Sequence, residues 1–181
     1  MCFVSFVDQE KIESVDRIVC KIAETVDEYR EYLAVRHAIF VEEQGLFSGT
    51  DVDEHDRDAI PIIAVDTQTG AVAGAVRCYP ASDDVWYGGR LAVLQPYRHS
   101  AASIGANLCR VAEATVIAHG CQQFLAYIQS QNVRFFQRLG WCVIGEPVLH
   151  QGQPHQLMQA ALVAAEVSVV SRQLLVVAID N

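Results

Sequence analysis

The chain has 181 residues, 51% hydrophobic and 19% charged, a composition typical of a folded domain that is long enough to bury a substantial core. Its formal charge of −9 at pH 7 argues against nonspecific binding to nucleic acid or to anionic membranes as the main role. No apolar run reaches transmembrane length, no secretory signal is recognisable, and the six cysteines form no C-x-x-C pair. We therefore expect a cytoplasmic single domain with reduced thiols, with a core over about 17–165 and a C-terminal extension over 166–181.

The first part of the chain predicts a strand, a helix and an acidic loop. Residues 17–23 alternate in polarity as a strand does. Thr25 and Glu28 form a capping-box pattern, which predicts a helix that extends to about Glu43. The loop over residues 45–58 follows.

Arg36 interrupts the apolar stripe of this helix, which contains Tyr29, Leu33 and Phe40. Two interpretations are open. Its guanidinium extends to water at the edge of the stripe, or it is half-buried and needs a carboxylate from Glu43 or from the next loop.

The acidic loop offers several carboxylates close together in sequence. It is not an EF-hand, because Asp56 stands at the position that requires glycine. Asp51, Asp53 and His55 could form an adventitious metal site, but a solvated acidic loop at the mouth of a substrate site is favoured. In that position Glu54, His55 or Asp56 could accept a proton from an amine.

The remaining elements follow from apolar runs punctuated by Gly and Pro. They are a hairpin over 61–66 and 71–79, a strand over 85–94, a helix over 103–120, a strand over 123–129, a short helix over 131–139, and strands over 141–144 and 156–165. A last β-branched run, residues 168–180, could add an edge strand or cross to a second subunit.

The junction between residues 91 and 108 has the composition of an anion site. Pro96 ends a strand, a polar segment follows, and Ser100 or Ser103 can cap the next helix. The first N–H groups of a helix lack internal partners and carry partial positive charge, and Gly105 lets a phosphate approach the backbone.

The run AVLQPYRHSAASIGANL resembles the acyl-CoA pyrophosphate loop of the GNAT N-acyltransferase superfamily. Val93, Pro96, Arg98, Gly105 and Leu108 match the pattern in order, although Arg98 and Gly105 are seven positions apart where five are usual. The resemblance implies an α/β (α+β) fold with a mixed, mostly antiparallel central sheet flanked by helices. It also implies acetyl-CoA as co-substrate and no metal.

Two further segments extend the resemblance. The block QSQNVRFFQRLGW resembles a later GNAT motif, and the R-x-x-x-F-V-x-E-Q segment from Arg36 to Gln44 resembles one GNAT branch, alongside acyl-homoserine lactone synthases. Phe136 stands where many relatives have a tyrosine that protonates the departing CoA thiolate. A thiolate with a pKa of about 8–9 can leave without a strong acid, so catalysis remains possible.

The resemblance assigns roles to particular residues. The cofactor-binding residues are Leu91, Ala92, Val93, Arg98, Ser100, Ser103, Ile104, Gly105, Ala106, Gln129, Asn132 and Phe135. The substrate side is shaped by Arg36, Phe40 and Glu43. Among the candidates for proton transfer, the resemblance points to Tyr87, whereas Glu54, His55 and Asp56 are suggested by the acidic loop itself, and the sequence does not choose among them.

The resemblance implies an acetyl-CoA-dependent N-acetyltransferase that acts on a small amine or amino-acid-like metabolite by direct attack in a ternary complex. Two alternatives stay open: an acyl-homoserine lactone synthase-like enzyme, and a noncatalytic acyl-CoA-binding regulatory module. The expected partners are an acyl-CoA and a small amine, without nucleic acid or membrane, and a homodimer through the C-terminal strand is possible.

Overall fold

Eight strands and three α-helices make up the described part of the chain, which comprises residues 17–98, 102–150 and 152–162 of a computed structural model. In chain order the elements are β1 (Ile18–Ile22), α1 (Val26–His37), β2 (Ile60–Asp66), β3 (Val72–Pro80), β4 (Val85–Val93), α2 (Ile104–Ala118), β5 (Gln123–Gln129), α3 (Val133–Arg138), β6 (Cys142–Val143), β7 (Val148–His150) and β8 (Gln153–Gln159).

All eight strands belong to one sheet in the order β1-β2-β3-β4-β5-β8-β6, and β7 also pairs with β8. Every neighbouring pair is antiparallel except β4 and β5, which are parallel. The predicted fold class, a mixed and mostly antiparallel sheet flanked by helices, is confirmed. The strand predicted over 168–180 lies outside the described residues.

The two faces of the sheet carry separate cores. On one face α2 buries Ile104, Leu108, Val111, Ala112 and Thr115, which is the stripe that its sequence predicts. On the other face α1 and the turn after it pack against β2, β3 and β4. Because β3 is buried by both layers, seven consecutive residues of this strand are buried and its sequence shows no polar alternation.

The capping box of α1 is present, since the Thr25 side chain accepts from the Glu28 N–H and Glu28 accepts from the Thr25 N–H. A π-helical turn, Ala38–Glu43, continues α1 to the predicted end. The predicted stripe is wrong at Tyr29, which is exposed. The residues that pack against the sheet are Tyr32, Val35, Ile39 and Phe40.

Three local predictions also change. Ser103 occupies the N-cap position of α2 in a left-handed conformation (φ +45°) without a side-chain cap, and Ser100 lies outside the described residues. Strand β7 was not predicted because all three of its residues are exposed, so it has no apolar alternation. Strand β8 begins at Gln153, because Gly152, with a positive φ of 71°, makes the turn within fewer residues.

Candidate functional site

A gap between β4 and β5 forms the centre of the candidate site. The two strands pair only at Val85 with Gln123, Trp86 with Phe124 and Tyr87 with Leu125, although β4 continues to Val93 and β5 to Gln129. Beyond that point β4 contains an irregularity at Arg90, whose φ is +58°, and its register on β3 shifts there. A bulge bends a strand and ends its pairing, which accounts for the separation.

The gap opens into a cavity of about 1140 Å³. Its walls are the separated ends of β4 and β5, the first turn of α2, α3, and the loop before β2. A cavity of this size between two strand edges suits an extended ligand, because unpaired strand edges offer backbone hydrogen bonds along their length.

The backbone of Val93 illustrates this. The N–H of Leu94 donates to the Ala73 carbonyl oxygen on β3 at 2.9 Å, so alternation along the strand directs the N–H of Val93 toward the gap. Leu91 and Val93 line the cavity, whereas Ala92 is buried on the α1 face of the sheet. The predicted pantetheine strand therefore borders the cavity at Leu91 and Val93.

The start of α2 forms one end of the cavity, where Ser103, Ile104, Gly105 and Ala106 contribute to the wall. A Cβ atom on Gly105 would lie 3.4 Å from Phe135 Cζ, so the helix and α3 are close together there. The other cofactor-binding residues predicted from this region, Arg98, Gln129, Asn132 and Phe135, also line the cavity.

Arg98 is held at this end by two hydrogen bonds. Its Nε donates to the Val93 carbonyl oxygen at 2.8 Å and its Nη2 donates to Glu43 Oε2 at 2.7 Å. Glu43, predicted to shape the substrate side, therefore pairs with Arg98, which was predicted to bind the cofactor, and Glu43 lies outside the main cavity. Phe40 lines the cavity.

Arg36 is completely buried and does not line the cavity. Its Nε donates to Asp51 Oδ2 at 2.8 Å, its Nη2 to Asp56 Oδ2 at 3.0 Å, and its Nη1 to the Tyr32 hydroxyl at 2.7 Å. Of the two interpretations of Arg36, the buried guanidinium paired with loop carboxylates is correct. In this position it presents no surface to a substrate.

Two more arginines hold the same loop. Arg77 on β3 binds Asp53 through both terminal nitrogens, at 2.7 and 2.8 Å, and its Nη1 lies 2.7 Å from Asp56 Oδ2. Arg90 on β4 donates to the Asp51 carbonyl oxygen and to Asp53 Oδ2. We call these three arginines with Asp51, Asp53 and Asp56 the arginine–aspartate network.

The network corrects the description of the loop as solvated, since the side chains of Asp51 and Asp56 are buried. Burial alone would raise the pKa of Asp56, but hydrogen bonds from Arg36, the Asp53 N–H and Arg77 outweigh it and hold the pKa far below its ordinary value. The pKa of Asp53 is lowered in the same way against burial, chiefly by Arg77. Carboxylates held this way are poor proton acceptors, which removes Asp56 from the candidate bases.

Glu54 and His55 lie between Asp53 and Asp56 in the loop, so the network holds them at the cavity wall. The His55 ring stacks on Tyr79 with 4.3 Å between centroids, and a row continues through Tyr87 to Tyr127 at 6.0 and 6.2 Å. Burial raises the pKa of Tyr79 and of Tyr87, so both phenols keep their protons at neutral pH. The three candidates for proton transfer thus border one end of one cavity.

Sequence reasoning missed two histidines of this wall. His150 on β7 and His155 on β8 both line the cavity, with ring centroids 5.3 Å apart and planes at 81°. Neither belongs to a recognisable motif, and only the hairpin of β7 and β8 brings them to the site. No sequence signal distinguished them from surface histidines.

Within the described ranges no three His, Cys, Asp or Glu side chains are grouped as metal ligands, and the carboxylates of Asp51 and Asp53 are engaged by arginines. No helix in those ranges has the length and apolar character needed to span a membrane.

Comparison with known proteins gives consistent matches. Residues 22–141 match the model of the acetyltransferase (GNAT) family. YjcF, an uncharacterized N-acetyltransferase of Bacillus subtilis, is 27% identical over 138 residues, which cover 76% of this chain and 95% of YjcF.

Solved structures agree at the level of the fold. A Lactobacillus plantarum protein described as an N-acetyltransferase has a TM-score of 0.73 at 22% identity, covering 82% of this chain and 100% of that one. BjaI, a CoA-dependent acyl-homoserine lactone synthase, has a TM-score of 0.64 at 20% identity, covering 82% and 84%.

Proposed function

The chain belongs to the GNAT family of acetyltransferases and is therefore an acyltransferase with an acyl-CoA as co-substrate. We propose that it is an acetyl-CoA-dependent N-acetyltransferase. Its acceptor is a small amine or an amino-acid-like metabolite, which attacks the thioester directly in a ternary complex. The main support for the proposal is the gap between β4 and β5. The gap is continuous with the α2 N-terminus and with the end of the cavity lined by His55, Tyr79 and Tyr87.

The residues of the gap fit the parts of an acyl-CoA. Val93 offers a backbone N–H to the extended pantetheine arm, and an N–H of the separated part of β4 polarises the thioester carbonyl. Ser103, Ile104, Gly105 and Ala106 present the helix N-terminus to the pyrophosphate, and Arg98 adds a positive charge beside it. Gln129, Asn132 and Phe135 border the arm on the opposite side.

The acceptor occupies the end formed by Glu54, His55 and Tyr87. Glu54 attracts the ammonium group, and the rings of His55 and Tyr87 position its carbon skeleton. Phe40 contributes apolar surface, while Arg36 acts on the acceptor only through the loop that it holds.

Phe136 cannot supply a proton to the departing thiolate, because it is an apolar ring buried against Phe135 and Trp141. At this position the Phe136 ring makes the cavity wall apolar and packs into the core. The thiolate therefore takes its proton from solvent after it leaves.

Calorimetric titration with acetyl-CoA, with CoA for comparison, followed by a thiol-release screen of amines, tests the proposal. We expect stoichiometric micromolar binding and CoA release with at least one amine. Acetyl-CoA binding without release for any acceptor would instead support a noncatalytic acyl-CoA-binding module. Release only with S-adenosylmethionine and longer acyl-CoAs would support a synthase like BjaI, which shares the fold.

A further inference from the structure

The histidine pair, His150 and His155, lines the cavity but has no role in the proposed function. The two side chains lie on the same face of the β7–β8 hairpin, where Val148 pairs with His155 and His150 pairs with Gln153. The hairpin brings both imidazoles to the end of the cavity that also contains Arg90 and Asp53.

The two imidazoles differ in burial and in hydrogen bonding. His155 is buried, and its Nδ1 lies 2.9 Å from the Gln153 carbonyl oxygen. Because a carbonyl oxygen only accepts, Nδ1 of His155 carries the proton and the ring is fixed. His150 is exposed and lines the cavity, so it can exchange protons with solvent and still face a ligand.

Other groups at this end are unsuited to removing a proton from an amine. Asp53 and Asp56 are held as carboxylates by Arg36, Arg77 and Arg90, and Tyr79 and Tyr87 are protonated phenols. Glu54 also lines this end, but in the proposed function its carboxylate holds the ammonium group of the acceptor. The imidazoles of His55 and His150 remain, and one face of the His55 ring is covered by Tyr79.

We propose that His150 is the catalytic base that removes the proton from the acceptor amine, an assignment that rests on the proposed function. The His150 imidazole takes one proton from the ammonium form of the acceptor, which frees the lone pair of the nitrogen. The neutral amine nitrogen then forms the bond to the acyl carbon, the carbon–sulfur bond breaks with its electron pair on the CoA sulfur, and the second proton of the nitrogen passes to solvent. The sulfur then takes a proton from solvent, and the imidazolium returns its proton to solvent.

The surroundings of His150 keep it available for this role. The groups that face it are His155 on β8, Arg90 on β4 and Asp53 in the loop. Desolvation, His155 and Arg90 lower the pKa of His150 below its ordinary value of 6.5, against the opposing charge of Asp53. The imidazole is therefore neutral at physiological pH, as a general base must be.

The test compares His150→Gln with His37→Gln, a control on the last turn of α1 outside the cavity. For His150→Gln we expect kcat to fall by about 100-fold or more, while the Kd for acetyl-CoA stays unchanged. The limb of the pH–rate profile below pH 6.5 should disappear, and imidazole should partly restore the activity of His150→Ala. The control should keep both rate and profile.

A readout independent of turnover is the NMR titration of the His150 ring in the free protein, which should give a midpoint below 6.5. Wild-type kcat and pH profile in a folded His150→Gln variant, or a midpoint at or above 6.5, would overturn the assignment. A wild-type protein that releases no CoA with any amine overturns the proposed function itself, so the two failures are distinguishable.

Discussion

Tyr87 and Leu125 form the last pair of the parallel ladder between β4 and β5, and Tyr87 lines the cavity together with the next residue of each strand, Gly88 and Ala126. The site therefore arises from interrupted pairing, and its length is set by how far β4 and β5 continue unpaired. The bulge of β4 lies at Arg90, and hydrogen bonds from the Arg90 side chain to the Asp51 carbonyl oxygen join it to the arginine–aspartate network.

Replacing Gly105 with Val should raise the Kd for acetyl-CoA by at least about 10-fold, because branched carbons would fill space beside Phe135 and block approach to the helix N-terminus. Ala118→Val, at the exposed end of the same helix, is the matched control and should bind normally. Calorimetry measures both. Unchanged affinity in the folded Gly105→Val protein would remove α2 from the phosphate site.

Replacing Arg36 with Met should lower the free energy of unfolding by about 3–5 kcal/mol, since it leaves Asp51 and Asp56 buried with one charge partner fewer. The same substitution at Arg30, an exposed residue of the same helix paired with Asp27, should cost less than about 1 kcal/mol. Urea denaturation compares the two variants. Equal losses would mean that the network contributes no more than a surface ion pair.

Stability should fall with acid because the folded-state pKa values of Asp53 and Asp56 lie below the unfolded value of about 3.9. The stabilisation is complete well above pH 4 and is lost as the pH falls through and below 3.9. Unfolding free energies at pH 7, 5, 4 and 3 should show this loss in the wild type and less of it in Asp56→Asn. Asp27→Asn should follow the wild type, and a flat wild-type profile down to pH 3 would contradict the prediction.

The double variant Glu54→Gln/His55→Gln should raise the KM for the amine about 10-fold with little change in acetyl-CoA affinity, because both side chains border the acceptor end. Asp56 is left intact, since it belongs to the buried network. The matched control is Glu42→Gln/His37→Gln, an exposed Glu–His pair at the end of α1. Steady-state kinetics of both double variants decide whether the loop contacts the acceptor.

Sequence periodicity predicted the order of the elements other than β7, because Gly, Pro or a cap marks their ends, as at Thr25, Pro96 and Gly120. For Arg36 the sequence left two interpretations open and did not identify the carboxylate, because Asp51 and Asp56 are selected only when the loop folds onto β3 and β4. The bulge at Arg90 and the position of His150 depend on tertiary pairing, for which a single sequence carries no periodic signal.

The shortness of the β4–β5 ladder has a consequence for the mechanics of the whole domain. Strands β1–β4 and strands β5–β8 form two half-sheets of four strands each. Only the three residue pairs of the β4–β5 ladder, which we call the seam, join the two half-sheets by strand pairing in the described part of the chain. In the proposed function acyl-CoA binds in the gap and contacts both half-sheets, so we expect its binding to restrain their relative motion and to stabilise the folded protein by mass action. Amide exchange in β5 and β8 should therefore slow when acetyl-CoA is present, while exchange in β2 and β3, which lie away from the seam, changes less.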